Sequence, residues 1–128
     1  MNPNFASVGQ EFATLYYQVF DSNRAALESL YNANSMLTFE GEQFQGTAAI
    51  IKKLTELPFK TVKHVITTID CQPTTSTGVI VFVVGQLKTD NDPPHSFSQC
   101  FHLQPKPDSP TLTYYVFNDM FRLSLHHG

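Results

Sequence analysis

Residues 60–70, KTVKHVITTID, set Val62, His64 and Ile66 on one side of an extended chain and Lys63 and Val65 on the other, a period of two. Before this stretch the period is helical. Phe5, Val8, Phe12, Leu15, Tyr16 and Val19 recur at steps of three and four, which puts them on one helix face. Asn2 is the expected N-cap, with Pro3 in the first turn. Asp21, Ser22 and Asn23 break the pattern and can cap a second, shorter helix that turns Ala26, Leu27, Leu30 and Tyr31 inward. The alternation from Met36 to Glu40, Gly41, and the run Gln43 to Gln45 read as a small hairpin. Thr47 is expected to cap a third helix with Ile50, Ile51, Leu54 and Leu57 inward, and Pro58 to stop it.

After residues 60–70 the period of two continues, predicting strands at 78–89, 96–103 and 112–124. The connections Gln72-Pro73-Thr74, Asp90 to Pro94 and Pro105 to Pro110 carry turn chemistry. Helices first and long antiparallel strands afterwards predict an α+β fold, with the helices on one face of a curved sheet. With 128 residues, the expectation is one domain spanning 1–128.

Apolar residues make up 41% of the chain and charged residues 15%, a composition that folds rather than one that stays disordered. A net charge of -3 argues against nucleic acid, whose phosphates call for clustered Lys and Arg. Cys71 and Cys100 stand far apart with no partner at metal or redox spacing, so free thiols and no metal site are expected. No basic start leads into an apolar run, and no stretch reaches the ~18 apolar residues of a membrane span. The expectation is a soluble intracellular protein with no membrane partner.

The chain has no GxGxxG, P-loop, HExxH, GxSxG or EF-hand pattern. His64, Asp70, His102 and Tyr114 are the residues able to do acid–base work. Each also has a plain structural role: strand histidines that are hydrogen-bonded, an aspartate beside a turn, a tail in the case of His126 and His127. The carboxylates say more. Of eleven, Glu40, Glu42, Asp90 and Asp92 fall in two turn regions, which would form a negative rim if the fold brought them together. Phe39 precedes Glu40, Leu87 precedes Asp90, and Leu57-Pro58-Phe59 with Met120-Phe121 add apolar surface. An acid-lipped apolar pocket and ordinary core packing under solvated turns both fit this pattern.

Several longer runs are more specific: Tyr16-Tyr17-Gln18-Val19-Phe20-Asp21, Leu37-Thr38-Phe39-Glu40-Gly41, Gln43-Phe44-Gln45-Gly46 and Leu57-Pro58-Phe59. They continue through Asp70-Cys71-Gln72-Pro73, Val84-Gly85-Gln86-Leu87 and Phe117 to Leu123. In this order they resemble the nuclear transport factor 2 family over nearly the whole chain. The resemblance implies a cone-shaped, cystatin-like domain of three N-terminal helices on a mostly antiparallel sheet. It also implies a non-enzymatic homodimer, formed sheet to sheet and needing no cofactor, that carries the GDP form of the GTPase Ran to the nucleus and touches FxFG-repeat nucleoporins. Cytoplasm, nucleus and nuclear pore are the implied locations.

By the same resemblance Glu40, Asp90 and Asp92 would meet basic side chains of Ran, one of whose aromatics would enter a pocket walled by Phe39, Leu57, Phe59, Val62, Leu87, Thr89, Met120 and Phe121. Phe5 would contact nucleoporins; it and Phe39 stand where animal members carry Trp. Two other readings remain. A cone-fold enzyme, dehydratase- or isomerase-like, acting on a small apolar substrate would show an internal cavity with a raised carboxyl pKa or a His–Asp pair. An adaptor's dimerisation module would share the fold, usually within a longer chain.

Overall fold

A computed structural model describes residues 1–107 and 113–124. The elements in chain order are helix α1 (Phe5–Ser22), a 3-10 helix (Arg24–Leu30), strands β1 (Met36–Phe39) and β2 (Glu42–Gln45), helix α2 (Thr47–Thr55), then β3 (Val62–Pro73), β4 (Val79–Thr89), β5 (His95–Pro105) and β6 (Tyr114–Leu123). The six strands form one sheet in the order β2-β1-β6-β5-β4-β3. All neighbours are antiparallel except β1 and β6, which run parallel with Phe39 beside Phe121. The α+β architecture of helices on a mostly antiparallel sheet is the expected one.

Inward positions of the long strands make the core: Val79, Val81, Val83 and Leu87 on β4 and Phe97, Phe101 and Leu103 on β5 are at most 9% exposed. Helix α1 closes over this face with Phe12, Ala13, Tyr16, Tyr17 and Phe20 buried. Gly9 lets it approach closely, because a Cβ there would lie 2.2 Å from Cys71 Sγ. The face that packs is therefore rotated from the one the spacing suggested, and Leu15, expected inside, is 45% exposed. α1 is apolar over more than one stripe, and the close approach at Gly9 decides which stripe the sheet covers.

Three further expectations are corrected. The second helix is 3-10 rather than α. Three residues per turn put Arg24, Leu27 and Leu30 on the covered side, and Ala26 stays exposed. Asn2 is not the cap of α1, which begins after Asn4. It is 7% exposed and anchors the N-terminus, its Nδ2 donating to Thr77 O and Tyr114 Oη and its Oδ1 accepting from Asn4 N–H. Thr47 is the first residue of α2, preceded by Gly46 with φ 85°. Leu112, the expected start of the last strand, part of the 105–110 connection and the His126–His127 tail lie outside the described residues.

Two bulges set which side chains face the helices. Thr67 is an extra residue on β3 between the pairs Ile66–Gly85 and Thr68–Val84. Phe117 is the extra one on β6, between Leu103–Val116 and His102–Asn118. Each reverses the in–out alternation beyond it. On β6 the inward side chains are thus Val116, then Asp119 and Phe121, while Met120 turns to the outer face and is 55% exposed.

Candidate functional site

At the end of the cone where β1, β4 and β6 meet the segment after α2, the inner face is left uncovered and forms an open cavity of about 230 Å³. Phe39, Leu57, Phe59, Val62, Leu87, Thr89 and Phe121, which the family resemblance implied as pocket walls, line it. Met120 does not: the β6 bulge points it away from the pocket. The wall also includes Pro58 and His64, together with Tyr16, Phe20, Leu37, Leu54, His95, Gln99 and Leu123, none of which the sequence had placed in a pocket wall except Pro58. Once the bulges were known, strand parity would have found His64, Gln99 and Leu123.

Arg24 holds the wall at Leu57-Pro58-Phe59 in place. Its Nη1 donates to Leu54 O and its Nη2 to Phe59 O, each at 3.0 Å, while the guanidinium carbon lies 4.5 Å from the Phe59 ring centroid. Another part of the wall is the stack of Phe39 on Phe121, backed by Phe97 in the core behind Phe121, with centroids 4.6 Å and 5.6 Å apart.

The two acidic turns do converge on this pocket. Phe39 and Thr89 both line it, and Glu40 and Asp90 are the residues that follow them. Glu40 and Asp90 are also the two non-glycine residues with positive φ among those described, at 50° and 48°. Gly41, with φ 87°, completes the two-residue hairpin turn, which needs positive φ at both central positions. Such backbone conformations cost free energy and concentrate at functional sites.

The rim carboxylates are not equally free. Glu40 Oε1 accepts the Leu123 N–H at 2.5 Å, while Glu40 N–H donates to Phe121 O, so the residue fastens the hairpin to β6. Asp90 Oδ1 accepts from Thr61 N–H, Lys60 N–H and Thr61 Oγ1. The Thr61 backbone hydrogen bond is the largest of the effects that hold its carboxyl below the usual range and keep it charged. Asp92 is exposed and makes no side-chain hydrogen bond or ion pair among the described residues; only its N–H is used, on Thr89 O. Glu42 faces away, paired with Lys53 at 3.5 Å.

Behind the pocket lies a buried polar network. Gln99 Nε2 and Tyr31 Oη donate to the two oxygens of Asp119, Tyr17 Oη donates to Gln99 Oε1, and the Tyr16 and Tyr31 hydroxyls are 2.9 Å apart. Burial pushes the Asp119 carboxyl up to about 6, against the opposing pull of its hydrogen bonds from Gln99, Tyr31 and Tyr16. Separately, His64 Nδ1 lies 2.6 Å from Asp21 Oδ1.

A raised carboxyl and a His–Asp pair both occur, but the enzyme reading called for them inside a closed cavity, and this cavity is open, with neither Asp119 nor Asp21 in its wall. The partners of Asp119 are all internal. The remaining candidates are engaged structurally: Tyr114 by Asn2, and His102 by Asn118 at Nδ1 and Gln104 at Nε2. Asp70 is exposed. Among the described residues no cluster of His, Cys, Asp or Glu could hold a metal, and no helix is long and apolar enough to cross a membrane.

Residues 8–123 match the model of the nuclear transport factor 2 domain family. The chain is 48% identical to nuclear transport factor 2 of Kluyveromyces lactis over 126 residues, 97% of this chain and 98% of that protein. It is 47% identical to nuclear transport factor 2B of Arabidopsis thaliana over 97% of this chain and 96% of the other. The solved nuclear transport factor 2 of Cryptosporidium parvum superposes with a TM-score of 0.91 at 45% identity, covering 97% of this chain and 98% of that one. These relatives carry the name of a transport factor, not of an enzyme.

Proposed function

This chain belongs to the nuclear transport factor 2 family and is a carrier in nuclear transport, and from that premise we propose that its cargo is the GDP form of the small GTPase Ran. One observation carries the reading. Two turns distant in sequence, each opened by a carboxylate in a left-handed backbone conformation, flank one open apolar pocket. A Ran aromatic would fill the pocket and contribute about 1.5 to 3 kcal/mol through burial. Basic groups of the Ran switch region would meet Glu40, Asp90 and Asp92, which set orientation and exclude other partners. Discrimination between nucleotides would reside in Ran, whose switch loop presents these groups when no γ-phosphate holds it.

The carrier would act as a homodimer. Phe82, Cys100 and Met120 are direct cross-strand neighbours on the outer sheet face, and Phe82 and Met120 are 43% and 55% exposed, an apolar row suited to a second copy. Phe5, half-buried at the start of α1, would contribute to FxFG-nucleoporin contact, and the protein would move between cytoplasm and nucleus through the pore. Calorimetry of the purified protein with Ran-GDP and with Ran-GTP tests the cargo: binding of the GDP form alone is expected, and equal affinity for both, or none for either, would overturn the proposal.

A further inference from the structure

Most polar atoms around the pocket are already used. The Tyr16 hydroxyl bonds Tyr31, and Gln99 is engaged at both ends of its amide by Tyr17 and Asp119. His64 is different. Its side chain is 3% exposed, with the rings of Tyr17, Phe20 and Phe97 around it at centroid distances of 4.7, 4.9 and 5.4 Å. Asp21 grips it twice: Oδ1 is 2.6 Å from Nδ1, and Oδ2 accepts the His64 backbone N–H at 2.9 Å.

The other ring nitrogen, Nε2, has no hydrogen-bond partner among the described residues. No buried side-chain nitrogen or oxygen among those residues lacks a partner, so Nε2 must open onto accessible space. His64 lines the pocket, and the pocket is that space. With the Asp21 carboxylate accepting the Nδ1 proton, the tautomer so fixed carries its lone pair on Nε2, an acceptor held rigidly in a largely apolar wall.

We infer that the pocket binds, in its own right, a small aromatic molecule of the phenol class, with its ring among the phenylalanines and its O–H donated to His64 Nε2. The size fits. An apolar cavity of about 150 Å³ already takes benzene, and this one is about 230 Å³. The chemistry is selective, because an aromatic without a donor leaves Nε2 desolvated and unpaired, whereas a phenol satisfies it. The ligand shares its pocket with the proposed GTPase interface but needs no GTPase, so failure of one proposal leaves the other standing.

The test is a titration of ¹⁵N-labelled protein with p-cresol and with 4-methylanisole at mildly alkaline pH, following the amides of Leu87, Gln99 and Phe121, with no GTPase present. p-Cresol is expected to bind at least about fivefold more tightly, the effect of one hydrogen bond, and the His64 ring ¹⁵N shifts to place the proton on Nδ1. In Asp21→Asn the His64 backbone N–H claims the amide oxygen, so the amide N–H faces Nδ1 and moves the ring proton to Nε2. The preference for p-cresol should then vanish. His64→Phe keeps an aromatic wall, removes the acceptor and should also abolish the preference. Equal affinities in the parent protein, a preference that persists in His64→Phe, or no amide shift from either ligand at millimolar concentration would overturn the inference.

Discussion

The ring of Phe39 lies nearly parallel to that of Phe121, planes 9° apart and centroids 4.6 Å from one another, where β1 runs beside β6. Each ring supports the other and both face the cavity, so the pocket wall is shaped before any partner arrives. Phe39→Ala should weaken Ran-GDP binding more than about tenfold, a lost aromatic contact of at least ~1.4 kcal/mol. Calorimetry on a variant whose circular dichroism matches the parent would check it.

The rim carboxylates should separate into two kinds. Asp92→Asn removes only a charge, so Ran-GDP affinity should fall sharply with an unchanged melting temperature. Glu40→Gln keeps an oxygen for the Leu123 N–H, whereas Glu40→Lys leaves that donor unpaired and should cost about 1 to 3 kcal/mol of stability. Thermal melts of the three variants side by side distinguish a charge that only binds from one that also holds the hairpin.

Asp119 should impose a pH dependence on folding. Its carboxyl is raised to about 6 by burial, so the folded state retains a proton that the unfolded chain releases near the ordinary value of 3.8. Its contribution to stability is full below about pH 4 and is lost as pH rises through 6, a swing of about 3 kcal/mol. Asp119→Asn cannot titrate there. The difference in urea unfolding free energy between parent and variant should therefore change by about that amount between pH 4 and pH 7.5.

A charge on the outer sheet face should separate the protomers. Met120→Glu or Phe82→Lys places it within the apolar row while leaving every pocket-lining side chain in position. Sedimentation velocity is expected to report a folded monomer for either variant and a dimer for the parent. A parent protein that sediments as a monomer would remove the sheet-to-sheet dimer from the proposal.

Much of this architecture was legible in the residues. The change of period at 60–70 located β3, and the strand and helix order followed from spacing. What escaped was local and geometric. Bulges at Thr67 and Phe117 leave no mark in the sequence pattern; Met120 and Phe121, as strand neighbours, must face opposite sides, and the bulge at Phe117 decides that Phe121 is the one turned inward. Leu15 and Tyr17 are both apolar enough to pack, and only the close approach of Gly9 to Cys71 shows which of them the sheet covers. The acidic turns and their apolar neighbours were visible as pattern. That Glu40 and Asp90 also fasten backbone could not be, because their partners at Leu123 and Thr61 are remote in sequence.

The parallel pairing of β1 with β6 bears on how the molecule is made. Phe39 and Phe121 are separated by roughly eighty residues, a long loop to close before their contact forms. On a ribosome the helices, the first hairpin and β3 to β5 all emerge before the strand that completes the wall. A nascent chain stalled short of β6 therefore has no socket to offer a partner, and competence to carry cargo arrives only once β6 has emerged.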